Sequence, residues 1–182
     1  NKYTGIFKDK NLIFITGESV NINAIKKDIT PTLYMLTHNG FVFNNFYTPI
    51  YHASTSDGEY TNLTGLLPTE GTWSMIKSSN NNMKYSLPAM FKTNDYKTYA
   101  YHNNTYNFYN RDITYPNLGF EKYTACGNGL EKKINCNIWP ESDLEMLNET
   151  YNDYKNDDKF LAYYMTVSTH LNYKTTNNDI VK

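Results

Sequence analysis

Two runs of apolar, β-prone residues constrain this chain more than anything else in it: Asn11 to Thr16 (NLIFIT) and Lys159 to Val167 (KFLAYYMTV). Neither alternates apolar with polar side chains, so each reads as a strand covered on both faces, as in a parallel sheet lying between layers of helix. The first run is closed by Gly17 and Glu18, the second by Ser168, Thr169 and His170. Helical patterns fill the space between them. Thr30 as a cap, Pro31 in the first turn and Gly40 after the last predict a helix over Pro31 to His38. Ser86 opens a second capped helix, S-L-P-A-M-F-K, and Pro140 to Tyr154 carries a third helical pattern, with Ser142 as cap and Leu144, Leu147 and Tyr151 on one face. Further strands are predicted over Phe41 to Tyr47, over Lys97 to Tyr101 ending at His102, and over a short piece of Gly119 to Thr124. This alternation predicts an α/β fold, a mainly parallel sheet flanked by helices.

With 182 residues, 40% of them apolar, the chain can bury one core, and nothing in it resembles a linker, so residues 1–182 read as a single, monomeric domain. A formal charge of -1 with no dense Lys or Arg run gives no electrostatic reason to expect nucleic acid. No apolar run is long enough to span a membrane, so any anchor is expected outside this chain. Cys126 and Cys136 can close a disulfide in an exporting context or stay as thiols in a reducing one; their spacing fits no common structural zinc pattern. The eighteen tyrosines suit glycerol-like or carbohydrate-like ligands, and equally a compositional bias.

In an open parallel sheet, ligands bind at the carboxyl ends of the strands. Glu18, His102 and His170 each follow an apolar run there. Ser54 to Asp57, all good N-cap types, precede a run with helical apolar spacing, so Thr55 sits at a predicted helix start where backbone N–H groups favour an anion. A carboxylate and a hydroxyl suit a hard cation, and histidines suit a phosphate. Each residue also has a plainer reading: Glu18 as a solvated loop carboxylate, His102 and His170 bonded to backbone carbonyls, Arg111 in a surface ion pair with Asp112, and Trp73 and Trp139 as packing residues. His38 and His52 are given no role. The N-x-[ST] triplets at Asn62, Asn103 and Asn148 are expected by chance in so Asn-rich a chain.

The segments N-L-I-F-I-T-G-E-S, S-T-S-D-G-E-Y-T, Y-H-N-N-T-Y-N-F-Y-N-R-D and S-T-H, in this order, resemble the lipoteichoic acid synthase family, phosphoglycerol transferases within the alkaline phosphatase and sulfatase superfamily. S-L-P-A-M-F-K-T-N-D-Y-K-T is similar to the family's segment before the histidine strand. The resemblance implies an alkaline phosphatase/sulfatase-like fold and assigns Thr55 as the catalytic nucleophile that carries glycerophosphate. It implies Glu18 and Thr55 as ligands of Mn, with Mg as a substitute, and His102, Tyr109, Arg111 and His170 as substrate-binding residues, Tyr109 standing where the family commonly has Trp. It further implies phosphatidylglycerol as donor, a polyglycerolphosphate polymer as acceptor, and a place on the extracellular face of a Gram-positive cell membrane. The family's Asp-His pair and a further acidic ligand are expected beyond Lys182, which makes the chain an N-terminal portion of a catalytic domain, its fold incomplete at the C-terminus. The other readings are a related phosphatase, phosphodiesterase or sulfatase, and a non-catalytic module binding cell-wall polymer. The absence of a C/S-x-P-x-R motif around Thr55 weighs against the sulfatase.

Overall fold

The computed structural model describes residues 1–181. Four strands, β1 (Leu12–Thr16), β2 (Lys97–Thr105), β3 (Lys122–Cys126) and β4 (Phe160–Met165), form one sheet in the order β1-β4-β2-β3, every neighbouring pair parallel. The helices are α1 (Pro31–Asn39), α2 (Ser54–Thr64), α3 (Ser74–Ser78), α4 (Leu87–Lys92), α5 (Arg111–Leu118) and α6 (Asp143–Thr150). The α/β architecture predicted from the two apolar runs is the one observed.

The central strands explain why those runs lack alternation. On β4, Leu161, Tyr163 and Met165 face one core with Leu63 of α2, Met75 of α3 and Leu118 of α5. Ala162 and Tyr164 face the other, with Tyr99, Tyr101 and Met146 of α6. Both faces are covered, so both sets are apolar or aromatic. The hydroxyls of the buried tyrosines are bonded rather than stranded: Tyr164 to Thr150 at 2.9 Å, Tyr101 to Asp153 at 3.2 Å.

Local signals hold where their chemistry is local. Ser86 and Ser142 cap α4 and α6, their hydroxyls accepting from the backbone N–H of Ala89 and Glu145. Gly119 ends α5 at φ +104°, where a Cβ would lie 2.7 Å from the Ala89 backbone; only glycine lets α5 meet α4 so closely.

Five predictions are corrected. β1 is an edge strand covered on one face only: Ile13 and Ile15 are 49% and 51% exposed, because α6 reaches β4 and β2 but not β1. Phe41 to Tyr47 forms no strand. It is irregular, with Phe43 and Tyr47 77% and 78% exposed, because no strand pairs with it. β2 continues past His102 to Thr105, and the small strand begins at Lys122. The face of α6 is also different: Leu144 and Tyr151 are exposed, and Met146 and Thr150 are buried. Finally, Ser54 to Asp57 lie inside α2, and its N-cap is Ala53. The reason is Asp57, whose carboxylate reaches back to the N–H groups of Tyr51, His52 and Ala53 at 2.7 to 3.1 Å and so starts the helix a residue earlier.

Candidate active site

At the carboxyl ends of β1 and β4 the two following loops are stitched together. The Glu18 N–H donates to Thr166 Oγ1 at 2.9 Å, and the Thr169 hydroxyl donates to the Glu18 carbonyl. Glu18 is thereby aimed across the sheet edge at the start of α2, where its Oε2 accepts from Thr55 Oγ1 at 3.1 Å. Thr55 sits in the first turn of α2, among backbone N–H groups with no partner inside the helix and at the positive end of its dipole. A hydroxyl so placed is favoured as it develops negative charge.

Glu18 and Thr55 lie on a cavity of about 430 Å³ whose lining also includes His102, Tyr109, Arg111 and His170. All six residues singled out in the sequence are brought to this one cavity. A second, adjoining cavity of about 550 Å³ shares Glu18 and Thr55 and extends along Phe14, Ile15 and Phe46. The first carries the cationic and imidazole groups.

Two residues in the left-handed region, Tyr109 at φ 58° and Asn110 at φ 54°, turn the chain sharply into α5 and drive Arg111 inward. Neither is glycine, so the turn costs on the order of 1–3 kcal/mol per residue and marks a place where geometry is held against local preference. Arg111 is 2% exposed. Its guanidinium lies 5.2 Å from the Tyr109 ring and pairs with Glu59, Nη2 donating to Oε2 at 2.6 Å and Nε at 3.2 Å. The ion pair with Asp112 expected from sequence is not formed; the guanidinium pairs instead with Glu59, buried beside it. Burial opposes the arginine's charge, but the Glu59 carboxylate outweighs it and raises the pKa above the usual range.

His102 is 3% exposed. Its Nδ1 lies 3.0 Å from the Met165 carbonyl and its Nε2 3.2 Å from Arg111 Nη1, an always-protonated donor. The arrangement therefore requires Nδ1–H and a lone pair on Nε2. Burial first, then the Arg111 charge, push its pKa well below the usual imidazole range.

Trp139, read from sequence as a packing residue, lines the same cavity and stands edge-on to His170 at 5.0 Å. Asp143 steadies that wall, accepting from the N–H groups of Val167 and Ser168 at 2.8 and 3.0 Å and from Asn103 at 2.8 Å. Trp73 packs against Tyr109 at 5.3 Å and His52 at 5.6 Å, outside the cavity. Sequence reasoning also passed over Glu59, although it stands four residues after Thr55, the spacing that puts two helical residues on one face.

Glu18 and Thr55 are hard oxygen donors, the kind Mn and Mg take. Among the described residues no cluster of three or more His, Cys, Asp or Glu forms a fuller cage. Cys126 and Cys136 form a disulfide, which ties the end of β3 to the following loop.

The sulfatase family model matches residues 10–179. The chain is 25% identical over 182 residues to the lipoteichoic acid synthase-like protein YvgJ of Bacillus subtilis, covering 96% of this chain and 29% of that protein. It is 27% identical to the lipoteichoic acid synthase of Staphylococcus aureus, covering 98% and 29%. The crystal structure of the lipoteichoic acid synthase LtaP from Listeria monocytogenes superposes with a TM-score of 0.77 at 32% identity, covering 93% of this chain and 43% of that one. The chain thus spans less than a third of the length of these two curated relatives.

Proposed function

This chain belongs to the sulfatase family, and from that premise we propose that it is part of a phosphoglycerol transferase of the lipoteichoic acid synthase type, with Thr55 as the covalent nucleophile. The observation that carries the reading is the Thr55–Glu18 hydrogen bond of 3.1 Å on a cavity that also holds Arg111. Nucleophile, proton acceptor and anion-binding cation meet at one place.

In the first half-reaction the Thr55 oxygen attacks the phosphorus of phosphatidylglycerol. Its proton is already directed to Glu18 Oε2, and the P–O bond to diacylglycerol breaks as the Thr55–P bond forms. The diacylglycerol oxygen takes a proton from water and leaves as the alcohol, and Glu18 releases to solvent the proton it received. In the second, the terminal hydroxyl of a glycerophosphate polymer attacks the same phosphorus and gives its proton to solvent, while the Thr55–P bond breaks and the Thr55 oxygen takes up a proton from solvent to become a hydroxyl again. Arg111 and His170 hold the phosphoryl oxygens, while Tyr109 supplies an aromatic wall for the glycerol. His102 Nε2, with its lone pair toward Arg111, orients the cation rather than donating to the phosphate. Mn, or Mg in its place, held by Glu18 and Thr55, would supply a lowered hydroxyl pKa and neutralisation of phosphoryl charge. Each half-reaction depends mainly on positioning and electrostatics.

We place this activity on the outer face of a Gram-positive-type cell membrane. The Cys126–Cys136 disulfide supports an oxidising compartment. Among the described residues no helix is long and apolar enough to cross a membrane.

The test is mass spectrometry of the protein after incubation with phosphatidylglycerol and Mn. A glycerophosphate adduct on the peptide containing Thr55, lost in Thr55→Ala, is expected. Diacylglycerol release that persists in Thr55→Ala would sink the reading.

A further inference from the structure

We propose that Glu59 is a positioning residue for Arg111, fixing which edge of the guanidinium meets the anion in the cavity. The inference rests on the phosphoryl-transfer reading of the site and extends it to a residue outside the cavity lining.

Arg111 is the only arginine among the seventeen lysine and arginine residues of the chain. A planar guanidinium differs from an ammonium in presenting two distinct edges, and a carboxylate can grip one of them as a fork. Glu59 does so. Its Oε2 accepts from Nε and Nη2, which leaves Nη1 on the opposite side, 3.2 Å from His102 Nε2 and 3.3 Å from the Phe108 carbonyl.

The carboxylate is itself held from behind. The Tyr115 hydroxyl donates to Glu59 Oε1, and the Tyr163 hydroxyl lies 3.1 Å from the same oxygen. Glu59 is 1% exposed, so neither it nor the arginine can turn to water without losing these bonds. The arginine's freedom to rotate about its terminal bonds is removed, so the guanidinium keeps one orientation toward the cavity that Arg111 lines.

The placement on α2 supplies the purpose. Glu59 follows Thr55 by one helical turn, so the backbone of α2 sets the distance between the attacking oxygen and the group that holds Arg111. A nucleophile and an anion-binding edge carried by one rigid element keep their relation while the surrounding loops move. The pair is also electrically near neutral. Simple attraction for a phosphate is weaker than from a lone arginine, so what Glu59 adds is orientation.

Because there is one arginine, its Nε–Hε signal in a ¹H–¹⁵N spectrum reports on this pair alone. The experiment compares the wild-type chain, Glu59→Gln, Arg111→Lys and the double variant, titrating each with glycerol phosphate in the presence of Mn. Glu59→Gln is expected to move the Arg111 Nε–Hε signal and to weaken glycerol phosphate binding at least tenfold. In the Arg111→Lys background the same substitution should change binding by less than twofold, because Glu59 acts through the arginine. A purely structural role would lower the melting temperature in both backgrounds and weaken binding equally in both, and that outcome overturns the proposal. Unchanged binding in folded Glu59→Gln, or no binding by the wild type, overturns it as well. If Glu59→Gln does not fold, Tyr115→Phe, which removes one brace of the carboxylate, is expected to weaken binding about threefold by the same route, and unchanged binding there counts against it. The two readings separate cleanly: an intact binding cycle without any Thr55 adduct would end the transferase reading and leave the role of Glu59 standing.

Discussion

Thr55 and Glu18, thirty-seven residues apart in sequence, share a hydrogen bond of 3.1 Å at the carboxyl edge of the sheet. The two oxygens are also those proposed to hold Mn, and a ligand that binds only the folded state raises stability by mass action. At a concentration of Mn a hundred times its dissociation constant the gain is about 2.7 kcal/mol. Glu18→Gln should abolish it, since a neutral amide is a poor ligand for a hard cation. Melting curves with and without Mn, and after chelation, check this; equal Mn-dependent shifts in the two proteins would remove Glu18 from the metal site.

Buried neutral His102 makes stability fall in acid. Its pKa is depressed in the folded state and ordinary in the unfolded one, so below about pH 6.5 the unfolded chain binds the extra proton. Stability attributable to this group is complete above that pH and is lost as pH drops, with a slope of at most about 1.4 kcal/mol per pH unit. Urea titrations of wild type and His102→Gln from pH 5 to 8 should show the slope in the first and not in the second.

Glu141 acts in the opposite direction. Burial first, with the nearby Asp143 charge, raises its pKa from 4.5 to about 7, and its Oε2 has no hydrogen-bond partner. The folded state therefore holds a proton that the unfolded state has already released, so stability is highest below pH 4.5 and declines as pH rises to about 7. Glu141→Gln should gain on wild type as pH increases through this range. Because the two effects oppose each other between pH 4.5 and 6.5, each is read as a difference between variant and wild type at matched pH. A constant difference across the range would assign the effect to packing instead.

The Cys126–Cys136 bridge closes a short loop, with ten residues of separation. Loop-closure entropy for that size puts its contribution at about 2–3 kcal/mol. Cys136→Ser, measured by denaturant unfolding beside Cys126→Ser, should lose that amount in both cases. Neither cysteine lines the cavity, so glycerol phosphate binding should be kept in both variants.

What was legible in the sequence divides by the reach of the interaction. The caps at Ser86 and Ser142 were readable because a hydroxyl meets an N–H three residues on. The central strands were readable because burial on both faces removes polar residues from the run itself. Glu59 was not, since its partners Arg111, Tyr115 and Tyr163 lie 52, 56 and 104 residues away. Nor was the exposure of Ile13 and Ile15: a run of apolar residues records that a strand pairs, not where in the order it stands. Phe41 to Tyr47 shows the converse, with strand-like composition and no partner to realise it. The six cavity residues were found through motifs. Trp139 was missed, because a tryptophan in a loop looks the same whether it faces a core or a ligand.

The strand order has a consequence in time. Among the described residues β1 pairs only with β4, and their register joins Leu12 to Leu161. As the chain emerges, β1 cannot take up this pairing until β4 has been made, and closing so long a loop is slow compared with forming the α5 and β3 region. The Thr55–Glu18 hydrogen bond therefore forms late, after the α5 and β3 region that carries Arg111. A nascent or partly unfolded chain carries Thr55 without its Glu18 partner, and under the reading proposed above competence cannot precede the pairing of β1 with β4.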